Sequence, residues 1–162
     1  MKLLLKNLLF TAIGPCTVAV YLPLILAGKR TAPSGAWLGV SAALFLAGAA
    51  IYAWCVRDFA VFGRGTPAPI DAPKKLVIRG PYRYTRNPMY IAALTTILAW
   101  AALFKAPRLL LYALVVGGCF HLFVVLYEEP HLRKVFGGSY EAYCARVGRW
   151  LPRIRGTGNG RP

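Results

Sequence analysis

The run AWLGVSAALFLAGAAIYAWCV, Ala36 to Val56, places 21 residues in succession without a single charge. At about 1.5 Å of rise per residue, a helix of that length crosses about 30 Å, the hydrocarbon thickness of a bilayer. Backbone N–H and C=O groups in lipid must be satisfied within their own segment, so such a run is read as a helix. Three more apolar runs flank it, Leu8 to Ala27, Met89 to Phe104 and Leu109 to Tyr127. A hydrophobic content of 57% and a mean hydropathy of +0.51 are too high for an ordinary soluble domain of 162 residues. The expected fold is an all-α integral membrane bundle of four or five transmembrane helices, with interfacial amphipathic helices near the C-terminus.

The first run follows Lys2 and Lys6 and has the look of a signal peptide, but Pro15 and Pro23 interrupt it and three more runs follow. It is expected to be a retained helix, kinked at its prolines. Met89 to Phe104 is the shortest run and spans only if the residues at its ends sit in the interface.

Charge is as uneven as hydropathy. The net charge of +15 arises from 20 basic and five acidic residues. Lys29, Arg30, Lys105 and Arg108 fall between runs one and two or three and four, and all other basic residues fall on the opposite side. That bias predicts a multi-pass protein with both termini and the long middle loop in the cytoplasm. A basic footprint also marks nucleic-acid binding, yet this charge follows the ends of apolar runs, which points to anionic lipid head groups instead.

Three regions are expected along the chain. Residues 1–57 form an N-terminal two-helix hairpin, residues 58–153 a core that holds every candidate site residue, and residues 154–162 a Gly-rich basic tail too polar to pack. Within the core, GRGTPAPIDAP forbids a regular helix. EEPHLRKVFGG and SYEAYCARVGRW each repeat apolar residues at helical spacing and predict short interfacial helices, the first ended by Gly137 and the second capped by Ser139. Cys16, Cys55, Cys119 and Cys144 have neither metal nor redox spacing and read as small apolar fillers. His121 and His131 have no ligand partners at suitable spacing, so no metal site is expected.

Two stretches concentrate chemistry. In RNPMY, Asn87 followed by Pro88 signals a helix start, with the amide capping free N–H groups and proline in the first turn. Those N–H groups and the nearby arginines suit a carboxylate or phosphate, and Tyr82, Tyr84 and Tyr90 suit a ring. In YEEP, two adjacent carboxylates end an apolar run, where acids are costly unless paired or functional. Glu129 has Arg133 at i+4 for an ion pair, whereas Glu128 has no such neighbour and shares a helical stripe with Val124 and His121. Pro130 removes an N–H and predicts a bend that turns the chain onto the membrane surface and exposes the pair to the loop. His121, well inside an apolar run, is a lesser candidate for acceptor contact or base chemistry.

GPYRYTRNPMY, followed about forty residues on by EEPHLRKVFGGSYEAYCARVGRWLPR, resembles the isoprenylcysteine carboxyl methyltransferase and phospholipid methyltransferase superfamily of integral membrane enzymes. The resemblance covers Lys74 to Arg153. It implies a bundle whose last helices and cytoplasmic segments enclose S-adenosyl-L-methionine, with a lipid-like acceptor arriving laterally from the membrane. By resemblance, cofactor contacts fall on Lys74, Lys75, Leu76 and Val77, then on Tyr82. They continue on Asn87, Pro88, Met89 and Tyr90, and the acidic pair Glu128 and Glu129 completes the set. Asn87 stands where many members carry His, and Val124 where prenylcysteine-methylating members carry Arg.

The function implied is methyl transfer from S-adenosylmethionine to a membrane-embedded lipid-like acceptor, similar to isoprenylcysteine carboxyl O-methylation. Phospholipid amine N-methylation is the alternative, and a basic membrane anchor without activity is a third reading. The sulfonium is already a strong electrophile, so alignment and exclusion of water outweigh acid–base chemistry.

Overall fold

The computed structural model describes residues 13–28, 35–63 and 76–153. Lys74 and Lys75, most of the GRGTPAPIDAP segment and the tail from residue 154 lie outside these described residues. Helix α1, Thr17–Leu26, begins as a π-helix over Thr17–Tyr21 and continues as an α-helix over Leu22–Leu26. Helix α2, Ala36–Asp58, is prolonged by a π-helical turn, Phe59–Gly63. A short 3-10 turn at Gly80–Arg83 precedes α3, Pro88–Phe104. Helix α4, Pro107–Phe123, continues through a π-helical turn, Val124–Glu128, into α5, Glu129–Phe136, and α6 spans Gly138–Arg146. The described residues are helical with no strand, and one isolated bridge joins Thr85 to Gly148.

Helix boundaries follow local chemistry. Pro88 and Pro107 occupy first-turn positions, where a missing N–H costs nothing. Lys105 ends α3 in a left-handed conformation, and Gly137 ends α5 as expected. Ser139 does not cap α6. The helix starts one residue earlier at Gly138, which leaves the serine inside the first turn.

Two helices are long and apolar enough to cross a membrane, Ala36–Phe62 and Pro107–Phe136. Only 17% of the most apolar window of each is buried within the protein, so most of that surface needs a partner such as lipid. On α4, Leu111 and Leu114 point outward, 63% and 73% exposed. The expectation of four or five spans is met for these two. Thr17–Leu26 and Pro88–Phe104 are shorter; the latter has 17 residues, about 26 Å as a helix.

Small residues let the helices approach closely. Helix α2 packs most extensively on α3. At their crossing a Cβ on Gly48 would sit 2.7 Å from Thr96 Oγ1 and 3.1 Å from the Ala92 carbonyl, so only glycine fits. Ala27, Ala101, Ala106 and Leu109 form a second buried cluster at the α3–α4 turn. Below the turn at Gly80, Tyr140, Tyr143 and Val147 of the α6 region form a third, with Leu76, Leu132 and Phe136 packed against it.

The expected bend at Pro130 takes another form. The helix runs on to Phe136, and the proline is accommodated by the widened π-helical turn just before it. Glu129, only 4% exposed, does face the loop as expected, with Arg86 3.0 Å from its Oε1.

Candidate active site

A cavity of about 310 Å³ opens where α1, α2, α3 and α4 converge with the Gly80–Arg83 turn, a volume at the lower end of the range for small-molecule sites. Its chemical groups are Glu128, Tyr90, Arg86 and Asn87, and much of the rest is aromatic: Tyr52, Phe59, Tyr82 and Phe120. Met89 lines it as well. The Tyr90 hydroxyl donates to Glu128 Oε2 at 2.9 Å, and its ring lies 4.6 Å from that of Phe120. Thus Glu128 is not partnerless. Its partner is 38 residues away in the chain and invisible to helical spacing.

Glu129 faces the other way and is sealed among guanidinium groups. Arg149 approaches side-on, with Nε 2.7 Å from Oε1 and a terminal nitrogen 3.0 Å from Oε2, and Arg86 lies 3.0 Å from Oε1. The expected i+4 partner, Arg133, is at 4.0 Å and is the most distant of the three. A forked bidentate contact is stronger than a point contact, which explains why Arg149 displaces Arg133. Arg86 also reaches Cys144 Sγ, at 2.7 Å, so this cysteine is more than a filler.

The stretch ahead of α3 is stapled to the chain after α6. The Arg86 N–H donates to the Gly148 carbonyl at 3.0 Å, while the Thr85 hydroxyl and the Asn87 side-chain amide both donate to the Arg149 carbonyl at 3.0 Å. Asn87 therefore does not cap α3 with its side chain. The Arg149 carbonyl takes the amide instead, and Pro88 leaves one N–H fewer to cap. Gly148 is tightly placed, since a Cβ there would run into the Leu151 carbonyl. The Tyr143 hydroxyl donates to the Tyr82 carbonyl at 2.7 Å, tying α6 to the Gly80–Arg83 turn. Burial raises the Tyr82 and Tyr143 phenols above the ordinary tyrosine range, so both stay protonated.

Of the residues singled out in the sequence, Tyr82, Asn87, Met89, Tyr90 and Glu128 share the cavity wall. Pro88 is fully buried, Val77 packs with Cys55 and Tyr82, and Leu76 packs against the α6 cluster. His121 is exposed and outside the lining. Its Nδ1 accepts from the Trp150 indole at 3.1 Å, and that indole ring lies 6.4 Å from Tyr90. Among the described residues, no three His, Cys, Asp or Glu side chains gather as a metal-holding group.

Residues 36–139, well over half of the chain, match the phospholipid methyltransferase family. The chain belongs to that family. Comparisons with curated proteins and with solved structures gave no match. Membership makes the protein a membrane methyltransferase for lipid-like substrates and places it in the superfamily shared with isoprenylcysteine carboxyl methyltransferases.

The matched phospholipid methyltransferase region contains Arg86, Tyr90 and Glu128, but Arg149 and the N-terminal lining residues lie beyond it. The sequence groups Arg86 with arginines suited to an anionic ligand rather than as a partner of Glu129, and singles out neither Arg149 nor the lining by Gly14, Pro15 and Val18. A signal for the arginines did exist. With only five acids in the chain, a carboxylate destined for burial at the end of an apolar run demands cations, and RNP and GRW supply them.

Proposed function

We propose that this protein transfers a methyl group from S-adenosyl-L-methionine to the amine of a lipid head group, with Glu128 as the central side chain. The supporting observation is the carboxylate of Glu128, half-buried in an aromatic-lined cavity and held by the Tyr90 hydroxyl at 2.9 Å. The cavity groups fit the cofactor's chemistry. Aromatic faces and a carboxylate suit a sulfonium and an ammonium, and Arg86 suits a carboxylate. When bound, the cofactor supplies an electrophilic methyl group.

The chain's own residues then have distinct tasks. An ammonium head group must lose a proton before its nitrogen can attack, and in this reading Glu128, on the cavity wall, accepts it. Tyr90 orients that carboxylate, with its ring fixed against Phe120. Tyr82 and Phe59, ring centroids 5.5 Å apart, exclude water from the adjoining wall. His121 is less suited to the base role, because its Nδ1 lone pair already receives the Trp150 N–H.

Carboxyl O-methylation, as in the isoprenylcysteine enzymes, is the second reading, and Arg86 on the cavity wall favours it because a guanidinium suits an acceptor carboxylate. The apolar, buried Val124 at the position of the prenylcysteine-binding Arg weighs against it.

Labelled S-adenosylmethionine supplied with membrane lipid extract separates the two readings: a base-stable N-methyl product is expected, whereas a base-labile ester would establish the second. S-adenosylhomocysteine should raise the thermal midpoint of the wild type, and Glu128→Gln should abolish both that rise and turnover. A Glu128→Gln protein with wild-type turnover would remove Glu128 from the site.

A further inference from the structure

The family match begins at residue 36, yet the cavity lining begins at Gly14. Gly14, Pro15 and Val18 line it from the α1 side, and none offers a polar side chain. Val18, Ala93 and Phe120 belong both to the lining and to the apolar cluster around Ala19, Ile97 and Val116. The cavity therefore passes from a polar region at Glu128 and Arg86 into an apolar one on the α1 side.

Helix α1 lacks one of its own backbone donors at this point. Its π-helical register has Leu22 N–H donating to the Thr17 carbonyl, so the next donor in line, for Val18, would be residue 23. Residue 23 is proline. It can serve neither Val18 in the π register nor Ala19 in the α register. Side chains from the neighbouring helices fill both places: Tyr112 of α4 donates to the Val18 carbonyl at 2.9 Å, and Trp100 of α3 to the Ala19 carbonyl at 3.1 Å. Arg108 donates to the Ala27 carbonyl at the end of the helix. Carbonyls in apolar surroundings are costly to leave unpaired, so these bonds fix where α1 sits and how far Val18 projects into the cavity.

We propose that α1 is a chain-selecting wall: held by Tyr112 and Trp100, it presents Val18, Gly14 and Pro15 as the boundary of the space that receives the hydrocarbon chain of the acceptor. The proposal rests on the methyltransferase reading for the identity of the occupant as a lipid-like acceptor. A hydrocarbon chain suits this end of the cavity because Gly14, Pro15 and Val18, which line it, offer no polar side chain to a polar ligand.

The test uses the full chain in phosphatidylcholine nanodiscs containing a phosphatidylethanolamine with a diazirine near the end of one acyl chain. Illumination should crosslink the Gly14–Val18 segment. Val18→Phe should reduce that crosslinking by about tenfold, as steric exclusion of a few methylenes does, while Val18→Ala should retain it. If Val18→Phe fails to fold, Val18→Leu carries the same prediction with a smaller drop. Tyr112→Phe, which unpairs the Val18 carbonyl, should spread the crosslinks along α1 without weakening stabilisation by S-adenosylhomocysteine. Crosslinks confined to the outward-facing Leu111 and Leu114, or a yield unchanged in Val18→Phe, would overturn the proposal. Failure of the methyltransferase reading would show separately, as absence of S-adenosylhomocysteine stabilisation in the wild type, because the crosslink pattern is read without that ligand.

Discussion

Glu128 and Glu129 are consecutive residues with opposite surroundings. The first shares one phenol, that of Tyr90, and borders a cavity; the second is enclosed by Arg86 and Arg149, with Arg133 more distant. Successive side chains on a helix diverge by about 100°, and the π-helical turn ending at Glu128 sets where the divergence falls. One carboxylate thereby holds the protein together, and the other borders the cavity with the Tyr90 hydroxyl bonded to it. The pair shows how a chain with five acids can use two of them for unrelated ends at a single point.

The sharpest way to break this comparison is to make the same isosteric change at both positions. Glu129→Gln leaves two close guanidinium groups without their anion and should destabilise the fold by about 3–5 kcal/mol, the usual cost of breaking a buried ion pair from one side. Glu128→Gln retains an acceptor for Tyr90 and should cost about 1 kcal/mol or less. Thermal unfolding in detergent reads both. Equal losses at the two positions would erase the distinction between a structural and a cavity-facing glutamate.

A smaller effect is expected where the Glu129 cluster is stapled through the backbone. Gly148→Ala places a methyl against the Leu151 carbonyl and must displace the Thr85–Gly148 bridge or the Arg149 turn, at a cost of about 1–3 kcal/mol. Since Arg149 carries the side-on contact with Glu129, the Gly148→Ala and Glu129→Gln losses should be less than additive. Strict additivity in the double variant would mean that the staple and the ion pairs act independently.

What the sequence reveals and conceals follows the range of each interaction. Apolar runs are local, so the helical fold, the two long spans and the α5–α6 pair were legible, as were Pro88 as a helix start and Gly137 as a helix end. The grouping of Tyr82, Asn87, Met89, Tyr90 and Glu128 along one cavity followed from the resemblance rather than from spacing. Asn87 misled because its identity signals a cap, whereas its amide is taken by a carbonyl 62 residues away. Arg149 was hidden for the same reason, and Val18 because nothing local marks an apolar residue in an apolar helix as a cavity wall.

The gentlest test concerns the tie between α6 and the turn that carries Tyr82 into the cavity. Tyr143→Phe removes only the hydroxyl that donates to the Tyr82 carbonyl and should cost about 1 kcal/mol. The loss should also change with pH in a defined direction. Burial raises the folded-state value of Tyr143 above the ordinary tyrosine value of about 10, so the folded protein holds a proton that the unfolded chain releases first. That contribution is fully present below about pH 10 and fades as the pH rises through the folded-state value. The stability of the wild type should therefore fall on the alkaline side, and Tyr143→Phe, with no proton there to lose, should fall less steeply. Parallel alkaline slopes for the two proteins would show that the Tyr143 phenol does not couple this tie to pH, leaving the arginine cluster around Glu129 as the stronger anchor of the cavity's polar wall.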